Sequence, residues 1–257
     1  MLHVQTRCQT PRHVPPDSPT PPSLPTSFPL PVLWQDDRIV VVDKPAGRLV
    51  HNSAWAGPPE ETVVDVARRC VAEGLVPVHR LDRGTSGALL LARSGDDARV
   101  GQAALADPAS TKRYIALVRG HVRAAIDIDH PLRDDDDDHG PRLPAHSRVT
   151  PVLLSDRERC SLVLIDLRSG RRHQARRHCK HVSHPVLGDA THGKGPLNRA
   201  YRDRFGLARL ALHCARLALP TAGIDICAPL PDDLRRPMHA LFPAVDVDAA
   251  VASAVLR

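Results

Sequence analysis

Nine consecutive residues, His79-Arg80-Leu81-Asp82-Arg83-Gly84-Thr85-Ser86-Gly87, set one carboxylate between two guanidinium groups and run into the apolar stretch Ala88-Leu89-Leu90-Leu91. Positive charge beside a carboxyl group favours its ionised form. Guanidinium groups also receive phosphate oxygens in a planar fork. A reactive carboxylate beside a pair that can hold a polyanion points to chemistry on nucleic acid. The same residues read as an ion cluster capping a turn would do no chemistry, and such clusters are common. The rest of the chain decides between the two.

Four further segments join this one. The run Val41-Val42-Asp43-Lys44-Pro45-Ala46-Gly47, followed by Leu49-Val50-His51, reads as a strand closed by a turn. Lys112 to Gly120 alternates like a strand and carries Tyr114, one of only two tyrosines. The basic residues Lys112 and Arg113 place that end of the strand near phosphate. Gly170 to His178, continuing through His181, His184, Pro185, Gly188 and Asp189, reads as a basic helix. At helical spacing Arg172, Arg176 and Lys180 form one basic stripe, and Ala175, Cys179 and Val182 an apolar face. Arg209 to Ala215 belongs to a longer expected strand, Leu207 to Leu219, paired with Ile224–Cys227 across Pro220-Thr221-Ala222-Gly223.

These segments need a scaffold, and 257 residues suffice for one sizeable core. A net charge of +6 suits a polyanionic partner. Aromatic residues make up 3%, too few for an extended base-stacking platform. None of the six cysteines falls in a C-x-x-C pair. Cys70, Cys179, Cys214 and Cys227 are expected as small buried hydrophobes in a reducing, cytoplasmic setting. No apolar run reaches membrane-spanning length, and no signal peptide is evident. Histidines 173, 178, 181, 184 and 192 could suggest zinc, but neighbouring arginines and the missing H-E-x-x-H pattern argue against a metal.

Residues 1–30 carry prolines at 11, 15, 16, 19, 21, 22, 25 and 29 without apolar periodicity, and are expected as a disordered tail. Order is expected from near Val32, with the catalytic domain over 31–245 and a C-terminal tail over 246–257. Thr62 is positioned to cap a helix over 62–70 that Gly74 would stop. A second helix is expected over about 96–106 with Val100, Ala103 and Ala104 inward. Asp134 to Asp138 reads as a solvated acidic loop and not a metal site. Many strands with a few interspersed helices give an α+β class with a largely antiparallel, twisted sheet.

The run His79–Gly87 resembles the H-R-L-D-x-x-T-S-G signature of the RluA-type pseudouridine synthases. The other segments are similar to that family's K-P-x-G-x-x-V-H, K-x-Y-x-A-x-V-x-G, G-R-x-H-Q-I-R-x-H and R-L-x-L-H-A blocks, in the same order. Together they cover roughly residues 33 to 230. Ala175 departs from the family's larger apolar residue. The resemblance implies a pseudouridine synthase fold, with a mixed sheet flanked by helices and a catalytic cleft across it. It implies Asp82 as the group that initiates glycosidic cleavage and Arg176 as its ion-pair partner. Tyr114 would stack on the base and assist removal of the C5 proton. Arg80, Arg83, Arg172 and Lys180 are expected to contact the RNA backbone, and Leu212 to neighbour the base. Trp34-Gln35-Asp36, the stretch Gly188–Gly195 and Phe205-Gly206-Leu207 resemble the subgroup that modifies uridine 65 of tRNA. The expected enzyme is a monomer needing neither cofactor nor metal. The alternatives are a ribosomal RNA synthase of the same family and a non-catalytic RNA-binding protein on the same scaffold.

Overall fold

β-Branched residues start the sheet. Ile39-Val40-Val41-Val42 are all buried in one strand, where branched side chains pack well on a pleated surface. The computed structural model describes residues 28–52, 60–133 and 140–257. In chain order the elements are β1 (Val32–Gln35), β2 (Ile39–Lys44), α1 (Val63–Cys70), β3 (Val76–Pro77), β4 (Ser86–Ala92), α2 (Gly95–Ala106), β5 (Thr111–Arg119) and β6 (Ile126–Asp129). They continue with β7 (His146–Leu154), β8 (Cys160–Leu167), α3 (Gln174–His181), α4 (Gly195–Phe205), β9 (Leu212–Leu219), β10 (Ile224–Cys227), α5 (Asp232–Leu241) and α6 (Val247–Leu256).

The strands form one sheet in the order β1-β2-β4-β9-β5-β8-β7-β6, with β10 on β9 and β3 on β4. Every pairing is antiparallel except β4 with β9, which are parallel through Ser86↔His213 and Gly87↔Cys214. The expected α+β class, with a mixed and largely antiparallel sheet, is what the chain adopts. That parallel step brings the Asp82 loop beside β9, more than a hundred residues later in the chain. All seven residues of β4 are buried, as a continuous apolar run anticipates.

Several expectations need correction. Thr62 does cap α1, in a reciprocal box with Asp65, but the helix ends at Cys70 and Gly74 lies beyond it at φ +78°. Helix α2 turns Ala98, Gly101, Ala104 and Leu105 inward, while Val100 and Ala103 are exposed. The reason is Gly101: a Cβ there would sit 2.9 Å from Val78 Cγ1, so the helix backbone itself rests on the sheet. Strand β9 starts at Leu212 and not at Leu207, because Gly206 ends α4 in the left-handed region and Ala211 bonds to Leu187 instead. Cys70 is exposed at the end of α1 and Cys227 is half-buried, whereas Cys179 and Cys214 are buried.

The segment expected as a C-terminal tail contains helix α6. It buries Val247, Val251, Ala254 and Val255 and packs on β5, β7 and α5. The acidic run at 134–138 and all but the last three residues of the expected N-terminal tail lie outside the described residues. Among the described residues, no helix is long and apolar enough to cross a membrane.

Candidate active site

Asp82 sits in the loop between β3 and β4, whose shape is fixed from three sides. Thr85 N–H closes a turn onto Asp82 O at 3.0 Å. Beneath it, Lys44 is fully buried and donates from Nζ to Thr85 O at 2.8 Å, Pro45 O at 2.9 Å and Arg83 O at 3.3 Å. Burial, aided by the charge of Arg209 and opposed by Asp82, lowers this ammonium to about 7. From the β9 side, Arg209 Nη2 donates to Gly84 O at 3.2 Å, Ser86 Oγ at 2.8 Å and Leu212 O at 3.1 Å. His213 Nδ1 completes the frame at 2.8 Å from Ser86 Oγ.

The cation that meets Asp82 comes from α3. Arg176 Nη1 donates to Asp82 Oδ2 at 3.1 Å, as the family resemblance implies. The same guanidinium grips Asp189 in a fork, Nε to Oδ2 and Nη2 to Oδ1, both at 2.8 Å. Burial alone would raise the Asp189 carboxyl. The two Arg176 bonds, with the amides of His192 and Thr191 at 2.8 and 2.9 Å, outweigh that and hold it below its ordinary value. Asp189 thus locks Arg176 in place and leaves its Nη1 for Asp82. The other Asp82 oxygen, Oδ1, stands 3.8 Å from His173 Nε2.

Asp82 and His173 line a cleft of about 290 Å³. Tyr114 and Leu212, both buried, form its apolar side, and Arg80, Arg171, Arg172 and Lys112 ring the polar side. Burial, with Cys214 and Asp82 adding, pushes the Tyr114 phenol well above its ordinary value. A phenol so held stays protonated at neutral pH.

The cleft therefore brings together Asp82, Tyr114, Arg80, Arg172 and Leu212, and Arg176 is joined to it through its bond to Asp82. Two expected contact residues fall elsewhere. Arg83 turns away from the cleft, bonding Glu60 at 2.7 Å and Gly47 O at 3.1 Å. Lys180 is exposed on α3, outside the cleft lining. The expected Arg172/Arg176/Lys180 stripe does not form, because His173 adopts φ +54° and the helix begins only at Gln174. Arg172 precedes the helix and Arg176 is buried. Arg113, expected near phosphate, faces away and bonds Asp166 at 3.1 Å and Val255 O at 2.7 Å.

Asp189, Lys44, His173 and Arg209 were not singled out from the sequence as site residues. Asp189 is set in place by its neighbour Gly188, whose φ is +75° and where a Cβ would lie 1.9 Å from Arg209 O. The histidines are engaged in structure. His178 lies 2.9 Å from both Ser147 Oγ and His130 O, and His181 stacks on His130 with centroids 3.8 Å apart.

Residues 38–181 match the family model described as RNA pseudouridylate synthase. This chain belongs to that family. A tRNA pseudouridine synthase C of Vibrio cholerae is 36% identical over 206 residues, covering 73% of this chain and 84% of the relative. One of Yersinia pestis is 36% identical over 208 residues, covering 74% and 80%. Among solved structures, human RNA pseudouridylate synthase domain containing 1 superposes with a TM-score of 0.66 at 25% identity, covering 90% of this chain and 97% of that one. Human RNA pseudouridylate synthase domain containing 4 gives 0.65 at 25% identity, covering 82% and 92%.

Proposed function

We propose that this synthase isomerises a uridine of tRNA, at position 65, with Asp82 as the group that starts the reaction. The observation that carries the assignment is the 3.1 Å bond from Arg176 to Asp82 in a cleft walled by Tyr114 and Leu212. The names of the Vibrio and Yersinia relatives favour tRNA as substrate. A base within a helix is out of reach, so the nucleotide is flipped out, at a cost of a few kcal/mol. The cleft has room for one pyrimidine, with Tyr114 and Leu212 against its face.

Arg176 occupies Oδ2 of Asp82 and leaves Oδ1 toward the cleft for the reacting atom. The N1–C1′ bond breaks, the uracil turns, C5 bonds to C1′, and the C5 proton leaves while N1 gains one. Neither redox change nor external group enters this balance, so no cofactor is invoked. Arg80 and Arg172 serve the backbone, where contacts position the RNA without reading it. The enzyme works as a cytoplasmic monomer.

The test is tritium release from tRNA transcripts labelled at uridine C5, with wild type beside Asp82→Ala. Release by wild type and at least a thousandfold less by the variant, with RNA affinity within about tenfold, is the expected result. Equal losses of binding and activity would overturn the role of Asp82. Release from ribosomal RNA alone would overturn the tRNA assignment, and silence on both would favour an RNA-binding protein.

A further inference from the structure

A second basic cavity, of about 450 Å³, lies at the far end of β5 and is lined by Arg119, Gly120, His121, Arg123, Arg159, Ser183 and His184. The turn that carries its arginines is firmly held. Gly120 N–H donates to Arg159 O at 2.6 Å, and Arg119 N–H to Pro185 O at 2.9 Å. Ser161 Oγ donates to Gly120 O at 2.8 Å and accepts from Val122 N–H at 2.9 Å. His184 donates from Nδ1 to Arg119 O at 2.8 Å, which leaves its Nε2 unbonded in that contact. Gly120 makes the turn possible: its φ is +84°, and a Cβ would lie 3.0 Å from His184 Nδ1.

The guanidinium groups of Arg119, Arg123 and Arg159 have no ion-pair or hydrogen-bond partner among the described residues. Glu158, the neighbouring acid, is committed to Arg204. The arginines do not serve as a cap for α3 either. Carbonyls of its last turn are already taken by the amides of Val182, Ser183 and His184. Three permanent positive charges converge on a preformed concavity and are used by nothing in the fold.

We propose that this pocket binds backbone phosphate of the RNA substrate, away from the flipped uridine. Arg119 lies five residue steps along β5 from Tyr114, a span of about 17 Å at 3.4 Å per residue. Helix α3 joins the two sites, with Arg176 near its start and Ser183-His184 just past its end. Forked guanidinium groups suit phosphate oxygens, and a fixed distance between pocket and cleft sets where along the RNA the reactive uridine falls. The inference rests on the RNA-synthase reading and extends it to how the substrate is registered.

The experiment compares wild type, Arg123→Ala/Arg159→Ala and Arg123→Lys/Arg159→Lys in tRNA binding across a salt series, with tritium-release kinetics in parallel. The alanine variant is expected to shorten the slope of log Kd against log salt by roughly 2. It should also raise Kd and KM about tenfold, with kcat within twofold. The lysine variant should keep the slope, because it keeps the charges. An unchanged slope in the alanine variant, or an equal loss in the lysine variant, overturns the pocket. Absent tritium release by wild type with a shortened slope overturns the tRNA reading and leaves the pocket standing.

Discussion

Arg176 on α3 and Arg216 on β9 present the same chemistry in two regions of the molecule. Arg176 forks onto Asp189, and Arg216 forks onto Asp225 through Nε and Nη2, both at 2.8 Å. Each keeps its Nη1 for a further partner. That of Arg216 goes to Val255 O at 3.1 Å and Leu256 O at 3.4 Å and, with Arg113, ties the end of α6 to the sheet. That of Arg176 goes to Asp82, whose side chain keeps 19% of its surface open to the cleft. The bidentate pair is the anchor in both. What Nη1 faces, helix-end carbonyls or an accessible carboxylate, separates a staple from a site.

The comparison can be broken most sharply at Arg176. Arg176→Ala is expected to cut turnover at least a thousandfold and, by leaving Asp189 buried without its cation, to cost about 3 kcal/mol of stability. Single-turnover kinetics and urea unfolding read the two effects separately; full turnover would show that another cation serves Asp82. Arg216→Ala should cost about 1–2 kcal/mol by the same unfolding measurement and leave kcat unchanged. A fall in kcat there would erase the distinction between staple and site.

His213 lies on β9 between these regions and bonds the Asp82 loop through Ser86. Burial lowers its imidazole from 6.5 to about 4. Between those values the unfolded chain takes up a proton that the folded chain refuses. Stability therefore falls as pH drops from 6.5 to 4, by up to about 1.4 kcal/mol per unit. His79, also buried and lowered to about 4, acts in the same window, so His213→Asn should make the slope of unfolding free energy between pH 6.5 and 4 shallower by one group's share and leave the part due to His79.

Asp82, Tyr114 and Arg176 were legible because each lies in a dense local motif, and the strands because their β-branched and alternating runs are strong signals. Asp189 was not legible as the second acceptor of Arg176. Its role depends on a left-handed glycine and on packing against Arg209, and neither is a local pattern. Lys44 reads as part of a turn and becomes a buried support only when β2 and β4 pair. The stripe through Arg172 failed because one residue, His173, leaves the helical region. Helix α6 was missed because Ala and Val fill both of its faces, so no periodicity marks the buried one.

The parallel contact of β4 with β9 also fixes the order of events during synthesis. Ser86 leaves the ribosome well before His213, and at 5–20 residues per second the 126 residues between them take roughly 6–25 s. Until then β4 can pair with β2 and β3, while Ser86 and Gly87, the two residues that meet β9, wait unpaired on that side. The nascent chain thus carries Asp82 in a half-built cleft, whose second wall arrives only when β9 is made.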